Sequence, residues 1–218
     1  MNTAPTRVCI VDDDASFLAA ATRLLRASGF EVVAFDSPGA LLAQCDSLQA
    51  GCLVADLLMP GMNGLELQAA IARTRNPVPI VFLTGRGDIA STVQAMRNGA
   101  EDFLEKRAPK EALLDAVRRA LARGQRERLE RERHRAVQQR FAALSARELQ
   151  VLAELLRGRL NKQIAGDLGI HERTVKLHRR AIMTKCSVGS IAELTQLAQG
   201  VGVWRQDAPP DQGGATSL

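Results

Sequence analysis

Short apolar segments alternate with longer amphipathic segments through the first half of the chain. Each short segment has the pattern of a buried strand, and a helical pattern follows it. The predicted strands are Arg7–Val11, Glu31–Phe35, Cys52–Ala55, Pro79–Leu83 and Asp102–Leu104. The predicted helices are one with Phe17, Ala21 and Leu25 on one face, then Pro38–Asp46, Leu65–Arg73, Ile89–Arg97 and one from Lys110 onward. This succession predicts a parallel sheet with helices on both faces.

A highly charged segment follows the last of these units. Residues 118–140 consist mostly of Arg, Glu, Gln and Ala, with opposite charges four positions apart, as at Arg126 and Glu130. This spacing predicts an exposed helix that continues the fifth one and is interrupted or weakened at Gly124. Apolar positions recur too rarely for a coiled coil, so we expect a linker helix.

The pattern becomes wholly helical from Leu144 onward. Ser145 and Glu148 have the spacing of a capping box before an apolar run, and Gly158 ends that run. Further helices are predicted over Asn161–Leu168, Glu172–Lys185 and Ser190–Ala198, with a tight turn at Gly169 between the first two. A short helix, a glycine turn and a basic second helix fit the major groove of DNA.

These patterns predict four parts of the chain. We expect an α/β domain over residues 6–121, a charged helical linker over 122–143, an all-α domain over 144–203 and a disordered tail over 204–218.

The distribution of charge supports two modules with different partners. The net charge is +5, but residues 1–117 carry −4, residues 118–140 carry +6 and residues 141–218 carry +3. A basic second half is typical of a module that faces a polyanion such as DNA.

The cysteines and the chain's hydropathy favour a cytoplasmic protein without a membrane partner. The four cysteines form no metal-ligand spacing, and Cys9 and Cys52 lie in predicted strands, so we expect buried reduced thiols. The sequence shows no signal-peptide pattern and no apolar run of membrane-spanning length.

Acidic residues follow two of the predicted strands. Asp12 and Asp13 come after the first strand and Asp56 after the third, so neighbouring strands would bring three carboxylates together. Like charges this close need a cation, and an oxygen-rich cluster suits Mg²⁺. Thr84 and Lys106 end two further strands and supply donors for phosphoryl oxygens. This combination indicates acyl phosphate chemistry on one aspartate.

Residues 6–120 closely resemble the receiver domain of bacterial two-component response regulators. The matching segments are Val11-Asp12-Asp13, Asp56-Leu57-Leu58-Met59-Pro60-Gly61, Leu83-Thr84-Gly85 and Asp102-Phe103-Leu104-Glu105-Lys106. The resemblance implies a doubly wound, flavodoxin-like sheet in the order 2-1-3-4-5. It also implies that a sensor histidine kinase delivers a phosphoryl group to this domain.

The resemblance further implies a role for each residue of the site. Asp56 would be the phosphoacceptor, with Thr84 and Lys106 stabilising the phosphoryl oxygens. Phe103 would be the aromatic switch that turns inward when Thr84 moves. The expected ligands of Mg²⁺ are Asp12, Asp13, Asp56 and the backbone carbonyl of Leu58.

One position departs from the family pattern. Family members usually have proline after the site lysine, which supports a cis peptide bond, but Arg107 follows Lys106 here. A cis bond before a non-proline residue costs about 3 kcal/mol. We therefore expect either a trans bond with Lys106 displaced and phosphorylation weakened, or a strained cis bond.

Residues 144–200 resemble the LuxR-type helix-turn-helix domain of the NarL/FixJ subfamily. The matching segments are Leu144-Ser145-Ala146-Arg147-Glu148, Asn161-Lys162-Gln163-Ile164-Ala165 and Arg173 through Arg179, followed by Met183 and Lys185. The resemblance implies contacts to base edges from Lys176, Leu177 and Arg180. It implies phosphate contacts from Asn161, Lys162, Thr174 and Lys185.

Together, the two resemblances imply a transcriptional regulator that binds double-stranded promoter DNA, in which phosphorylation of Asp56 releases the helix-turn-helix or pairs the protomers into a homodimer. RNA polymerase is a further candidate partner. Such a protein is not an enzyme, apart from hydrolysis of its own acyl phosphate. Two alternatives remain open: a regulator that binds DNA without phosphorylation, and a haloacid-dehalogenase-type phosphatase. In that phosphatase, Asp12 would be the nucleophile and Asp14 the general acid, although the later acidic pair of that family is missing.

Overall fold

The computed structural model describes residues 7–85 and 89–202. The chain forms two compact units, which divide between Leu129 and Glu130. The tail expected over residues 204–218 lies outside the described residues.

The first unit is built on a five-stranded parallel sheet. Its strands are β1 (Arg7–Val11), β2 (Glu31–Phe35), β3 (Cys52–Asp56), β4 (Ile80–Thr84) and β5 (Asp102–Glu105). The spatial order is β2-β1-β3-β4-β5, which confirms the expected order. All of the pairings are parallel, so the carboxyl ends of the strands lie along one edge.

Helices cover both faces of this sheet. They are α1 (Ala15–Ala27), α2 (Pro38–Leu48), α3 (Gly64–Ala72), α4 (Ile89–Arg97) and α5 (Lys110–Ala142). Side chains of each strand alternate between the two faces: Cys9 and Val11 join a cluster with residues of α2 and α3, while Val8 and Ile10 pack with residues of α1 and α5. The buried sheet therefore holds the strand ends firmly in register.

Helix α5 runs through Gly124 without a break, which confirms the predicted continuation of the fifth helix and contradicts an interruption at Gly124. A Cβ atom at Gly124 would lie 2.4 Å from the carbonyl oxygen of Gly51 and 3.1 Å from Pro79 Cδ. The glycine therefore allows α5 to pack closely against the loop before β3. This packing compensates for the low helix propensity of glycine.

The second unit is a small helical domain. Its helices are α6 (Ala146–Leu156), α7 (Asn161–Leu168), α8 (Glu172–Cys186) and α9 (Ile191–Gly200). The predicted capping box of Ser145 and Glu148 is present at the start of α6. Phe141, near the end of α5, is buried in the same core as Val175 and Ile182.

The cysteines that the structure describes behave as predicted. Cys9, Cys52 and Cys186 are free and buried. Burial raises the pKa of the Cys9 thiol to about 11, which keeps it protonated at neutral pH. Within the described ranges, no helix has both the length and the apolarity needed to cross a bilayer.

Candidate functional site

Four of the predicted site residues meet at the carboxyl edge of the sheet. Val11 at the end of β1 is paired with Ala55, so Asp12 and Asp56 follow at neighbouring positions. Thr84 ends β4 beside them, and the backbone N–H of Lys106 donates to the carbonyl of Thr84 at 2.8 Å. The parallel sheet thus brings together residues that lie up to 94 positions apart in the chain.

Asp12, Asp13 and Asp56 form an acidic pocket at this edge. Each residue offers one carboxylate oxygen, and these three atoms all lie within 4.8 Å of one another. Asp12 and Asp56 are buried, whereas Asp13 is exposed. In the part of the chain that the structure describes, no other group of acidic, histidine or cysteine side chains has this geometry.

Lys106 connects the two buried carboxylates. Its Nζ atom lies 2.9 Å from Asp12 Oδ1, 2.8 Å from Asp12 Oδ2 and 2.9 Å from Asp56 Oδ2. The same Nζ lies 4.7 Å from the centroid of the Phe17 ring. Sequence reasoning missed this role of Phe17, which lies one turn after Asp14 in α1. The ring's negative face offers a further attraction for the ammonium.

Burial and charge shift the pKa values of these groups in opposing ways. Burial raises the pKa of the Asp12 carboxyl, and the hydrogen bond from Lys106 offsets only part of that shift. Burial alone would lower the pKa of Lys106, but its hydrogen bonds to Asp12 and Asp56 raise it overall. The ammonium therefore stays charged, and the pocket as a whole keeps a net negative charge.

The loop after β5 is trans and Lys106 is not displaced. Among the described residues no peptide bond is cis, including the bond before Arg107. The expectation that a trans bond displaces Lys106 is therefore wrong. The reason is that the backbone hydrogen bond to Thr84 and the two carboxylates hold Lys106 in place.

Asp14 is used as a helix cap. Its carboxylate accepts hydrogen bonds from the N–H groups of Ser16 and Phe17 at 2.9 and 3.1 Å. These bonds fix the start of α1 and occupy the side chain that a phosphatase of the alternative type would need as its general acid.

The remaining predicted residues of this site lie around the pocket. Thr84 is fully buried, and the partly buried Phe103 ring lies 6.3 Å from the Phe82 ring between centroids. Leu58 is 62% exposed, and its N–H donates to Asp56 Oδ1 at 3.3 Å. Gly64 packs closely against the backbone of Asp56: a Cβ atom at position 64 would lie 2.7 Å from the Asp56 carbonyl oxygen.

Helices α7 and α8 form the predicted helix-turn-helix. Gly169 ends α7 in the left-handed region at φ +62°, which turns the chain into α8. On α8, Val175 and Ile182 are fully buried. The predicted base-reading residues Lys176, Leu177 and Arg180 are all exposed on this helix.

The residues predicted to contact phosphates differ in their surroundings. Lys162 is exposed, and Thr174 is half-buried near the start of α8. The Asn161 side-chain oxygen accepts a hydrogen bond from Arg179 Nη1 at 2.7 Å, which leaves its amide N–H groups as donors. Lys185 instead lies at the other end of α8, with its Nζ 2.7 Å from Glu148 Oε2.

Comparisons with known families agree with both units. Residues 8–118 match the family described as response regulator receiver domain. Residues 142–198 match the family described as bacterial regulatory proteins, luxR family.

Individual relatives match nearly the whole chain. Nodulation protein W of Bradyrhizobium diazoefficiens is 41% identical over 90% of this chain and 86% of its own length. The transcriptional regulatory protein FixJ of Azorhizobium caulinodans is 39% identical over 94% of this chain and 95% of its own. Among solved structures, the response regulator StyR is 46% identical with a TM-score of 0.77, over 88% of this chain and 98% of that one.

Proposed function

The chain belongs to the response regulators that join a receiver domain to a LuxR-type DNA-binding domain, and from that premise we propose a role for each residue of its sites. The protein is a phosphorylation-dependent, DNA-binding transcriptional regulator. Asp56 is the proposed phosphoacceptor, and a sensor histidine kinase is the proposed donor. The observation that supports this most directly is the ammonium of Lys106 lying 2.9 Å from Asp56 in a buried acidic pocket.

Transfer to Asp56 exchanges one phosphorus bond for another. A carboxylate oxygen of Asp56 attacks the phosphorus of the donor's phosphohistidine, the new O–P bond forms as the N–P bond breaks, and the freed imidazole takes up a proton. Lys106 then donates to a phosphoryl oxygen that replaces the carboxylate as its partner. The Thr84 hydroxyl donates to a second phosphoryl oxygen.

Mg²⁺ fits the acidic pocket as the proposed cofactor. All the donors there are oxygens, and Asp12 and Asp56 share the single ammonium of Lys106, so the pocket keeps a net negative charge that a cation would offset. Asp12, Asp13, Asp56 and the backbone carbonyl of Leu58 are the proposed ligands. When bound, the ion offsets negative charge on the transferring phosphoryl group.

Phosphorylation would reach the rest of the receiver through Thr84 and Phe103. Thr84 is fully buried at the end of β4, and Phe103 on β5 packs against the core that contains Phe82. A hydroxyl drawn toward the phosphoryl group leaves space that the Phe103 ring can enter. This change is the proposed switch.

The proposed output is sequence-specific binding to double-stranded promoter DNA. Lys176, Leu177 and Arg180 would contact base edges, while Asn161, Lys162 and Thr174 would contact phosphates. Phosphorylated protomers would pair and bind two half-sites, with RNA polymerase as a further proposed partner. The proposed location is the cytoplasm, where promoter DNA is found, and the only proposed catalysis is hydrolysis of the protein's own acyl phosphate.

The test compares the full chain before and after treatment with acetyl phosphate and Mg²⁺. Light scattering measures the mass, and fluorescence anisotropy measures binding to a duplex selected by the protein from a random library. We expect a doubled mass and tighter binding in the treated wild type and neither in Asp56→Asn. Equal mass and binding in all samples would support the regulator that acts without phosphorylation.

A further inference from the structure

Two side chains cross in opposite directions between the C-terminal ends of α5 and α8. Arg140, in the last turn of α5, donates from Nη1 to the carbonyl of Cys186, the last residue of α8, at 3.2 Å. Lys185 donates from Nζ to the carbonyl of Ala143, which directly follows α5, at 3.2 Å. Carbonyls at a helix end have no partner within the helix and attract cations. Each helix therefore supplies the cation that satisfies the end of the other.

Glu148 anchors this arrangement at the start of α6. Its carboxylate is buried, accepts a hydrogen bond from the backbone N–H of Ser145 at 2.6 Å and lies 2.7 Å from Lys185 Nζ. A buried carboxylate that lost its cation would remain without a partner, which is costly. The ammonium of Lys185 is thus held from two sides, by Glu148 and by the end of α5.

Lys185 also lies on a different side of α8 from Lys176 and Arg180, the two basic residues proposed to contact base edges. A helix turns by about 100° per residue, so Lys185 lies about 180° around α8 from Lys176 and about 140° from Arg180. The same count puts it only about 60° from Ile182, which is fully buried in the domain core. Its side chain is 40% exposed, but its Nζ is directed toward the start of α6, where it contacts Glu148.

From this geometry we infer that Lys185 is a positioning residue, which fixes α8 to α5 and α6 through Glu148, and that it does not contact phosphate. Arg140 makes the second connection between the same two helix ends. The inference rests on the proposed DNA-binding function and replaces the phosphate contact that the sequence predicts for Lys185. The orientation in which α8 enters the groove would then depend on Glu148 and Lys185, neither of which touches DNA.

Glu148→Gln separates the two roles of Lys185. Glutamine can still accept the hydrogen bond from Ser145, so the capping box persists while the ion pair is lost. If Lys185 positions α8, the variant binds the selected duplex about tenfold more weakly, as after loss of one base contact, and binds random duplex as the wild type does. If Lys185 contacts phosphate, releasing it from Glu148 leaves binding to both duplexes unchanged or stronger.

Salt dependence provides the second measurement, on Lys185→Met with Lys162→Met as the matched control. Affinity for DNA falls as salt rises, and loss of one phosphate contact makes the negative slope of log affinity against log salt shallower by about one. We expect this change for Lys162→Met only, while Lys185→Met loses selectivity and keeps the wild-type slope. Circular dichroism and thermal melting check that each variant is folded, and Lys185→Gln, which keeps a donor for Glu148, replaces the methionine variant if that one unfolds.

The outcomes distinguish this inference from the function on which it rests. A wild-type protein that binds neither duplex would overturn the proposed function and the inference together. Wild-type protein that binds DNA, with Glu148→Gln equal to it on both duplexes or a reduced slope for Lys185→Met, would overturn the inference alone.

Discussion

Lys106 supplies the positive charge that allows Asp12 and Asp56 to lie side by side in a buried pocket. Its ammonium reaches both carboxylates and lies over the Phe17 ring. The pattern of acids at the strand ends was enough to predict which residues meet. The position of Lys106 itself was not predictable from Arg107, because the local preference for a trans bond says nothing about the backbone hydrogen bond to Thr84 that holds the loop.

Leu58 is expected to protect the acyl phosphate from water. It lies two residues beyond Asp56, and its exposed apolar side chain can hinder a water molecule that approaches the phosphoryl group. Leu58→Asn replaces this barrier with an amide that can orient the water. One added hydrogen bond in the transition state corresponds to a half-life about tenfold shorter. Release of radiolabelled phosphate from the phosphorylated protein measures the half-life, and Leu58→Met is the control of similar bulk. A half-life of Leu58→Asn equal to that of the wild type would contradict the account.

Glu148 is expected to make the stability of the protein depend on pH. Hydrogen bonds from Lys185 and Ser145 lower its pKa from 4.5 to about 2, so the folded state favours the carboxylate. This contribution is complete above about pH 4.5 and is lost as the pH falls toward 2.

The unfolding of Glu148→Gln tests this pH dependence. At neutral pH we expect the variant to unfold with a free energy about 1–3 kcal/mol below that of the wild type. The difference should shrink as the pH is lowered from 5 toward 2, because the other carboxylates are common to both proteins. Urea denaturation at a series of pH values measures it, and a difference that stays constant would contradict the assigned role of the ion pair.

At the scale of elements, apolar periodicity was sufficient for most helices and strands. It predicted β1, β2, α4 and α7 with the bounds that the structure has, and it missed the bounds of others by one or two residues. The charge spacing predicted that α5 continues, but not that it would pass Gly124 unbroken, since the low helix propensity of Gly124 is a local property. What compensates for it is the close approach of Gly51, which lies 73 positions earlier in the chain.

Gly124→Ala should therefore destabilise the first unit. Its Cβ would meet the Gly51 carbonyl, and relieving that clash requires a backbone shift that costs about 1–3 kcal/mol. Gly166→Ala in α7 is the matched control, because nothing lies within 4 Å of its Cβ and alanine favours a helix. Thermal melting of both variants measures the effect; a Gly124→Ala protein as stable as the wild type would refute the close-packing explanation.

Arg180→Ala tests the assignment of α8 as the helix that reads DNA. Loss of a base contact should weaken binding to the selected duplex by about 1–3 kcal/mol, with a smaller effect on a random duplex. Anisotropy titrations at one fixed salt concentration measure both affinities. Equal losses on the two duplexes would indicate that Arg180 contacts only phosphates.

At the scale of the whole molecule, the division of charge anticipated two modules with different chemistry. The acidic first half holds the pocket around Asp56, and the basic second half carries the helix-turn-helix. The connection between Lys185 and Glu148 could not be anticipated, because the two residues lie 37 positions apart and only the packing of α6 against α8 brings them together.

The central claim is that Asp56 itself receives the phosphoryl group, and chemical mapping of the acyl phosphate tests it most directly. The full chain is phosphorylated with acetyl phosphate and Mg²⁺, reduced with borohydride, which converts a phosphorylated aspartate to homoserine, and digested for mass spectrometry. We predict homoserine at position 56 and none in the Asp56→Asn variant. Homoserine at position 12 would instead support the phosphatase alternative and contradict the account of the site.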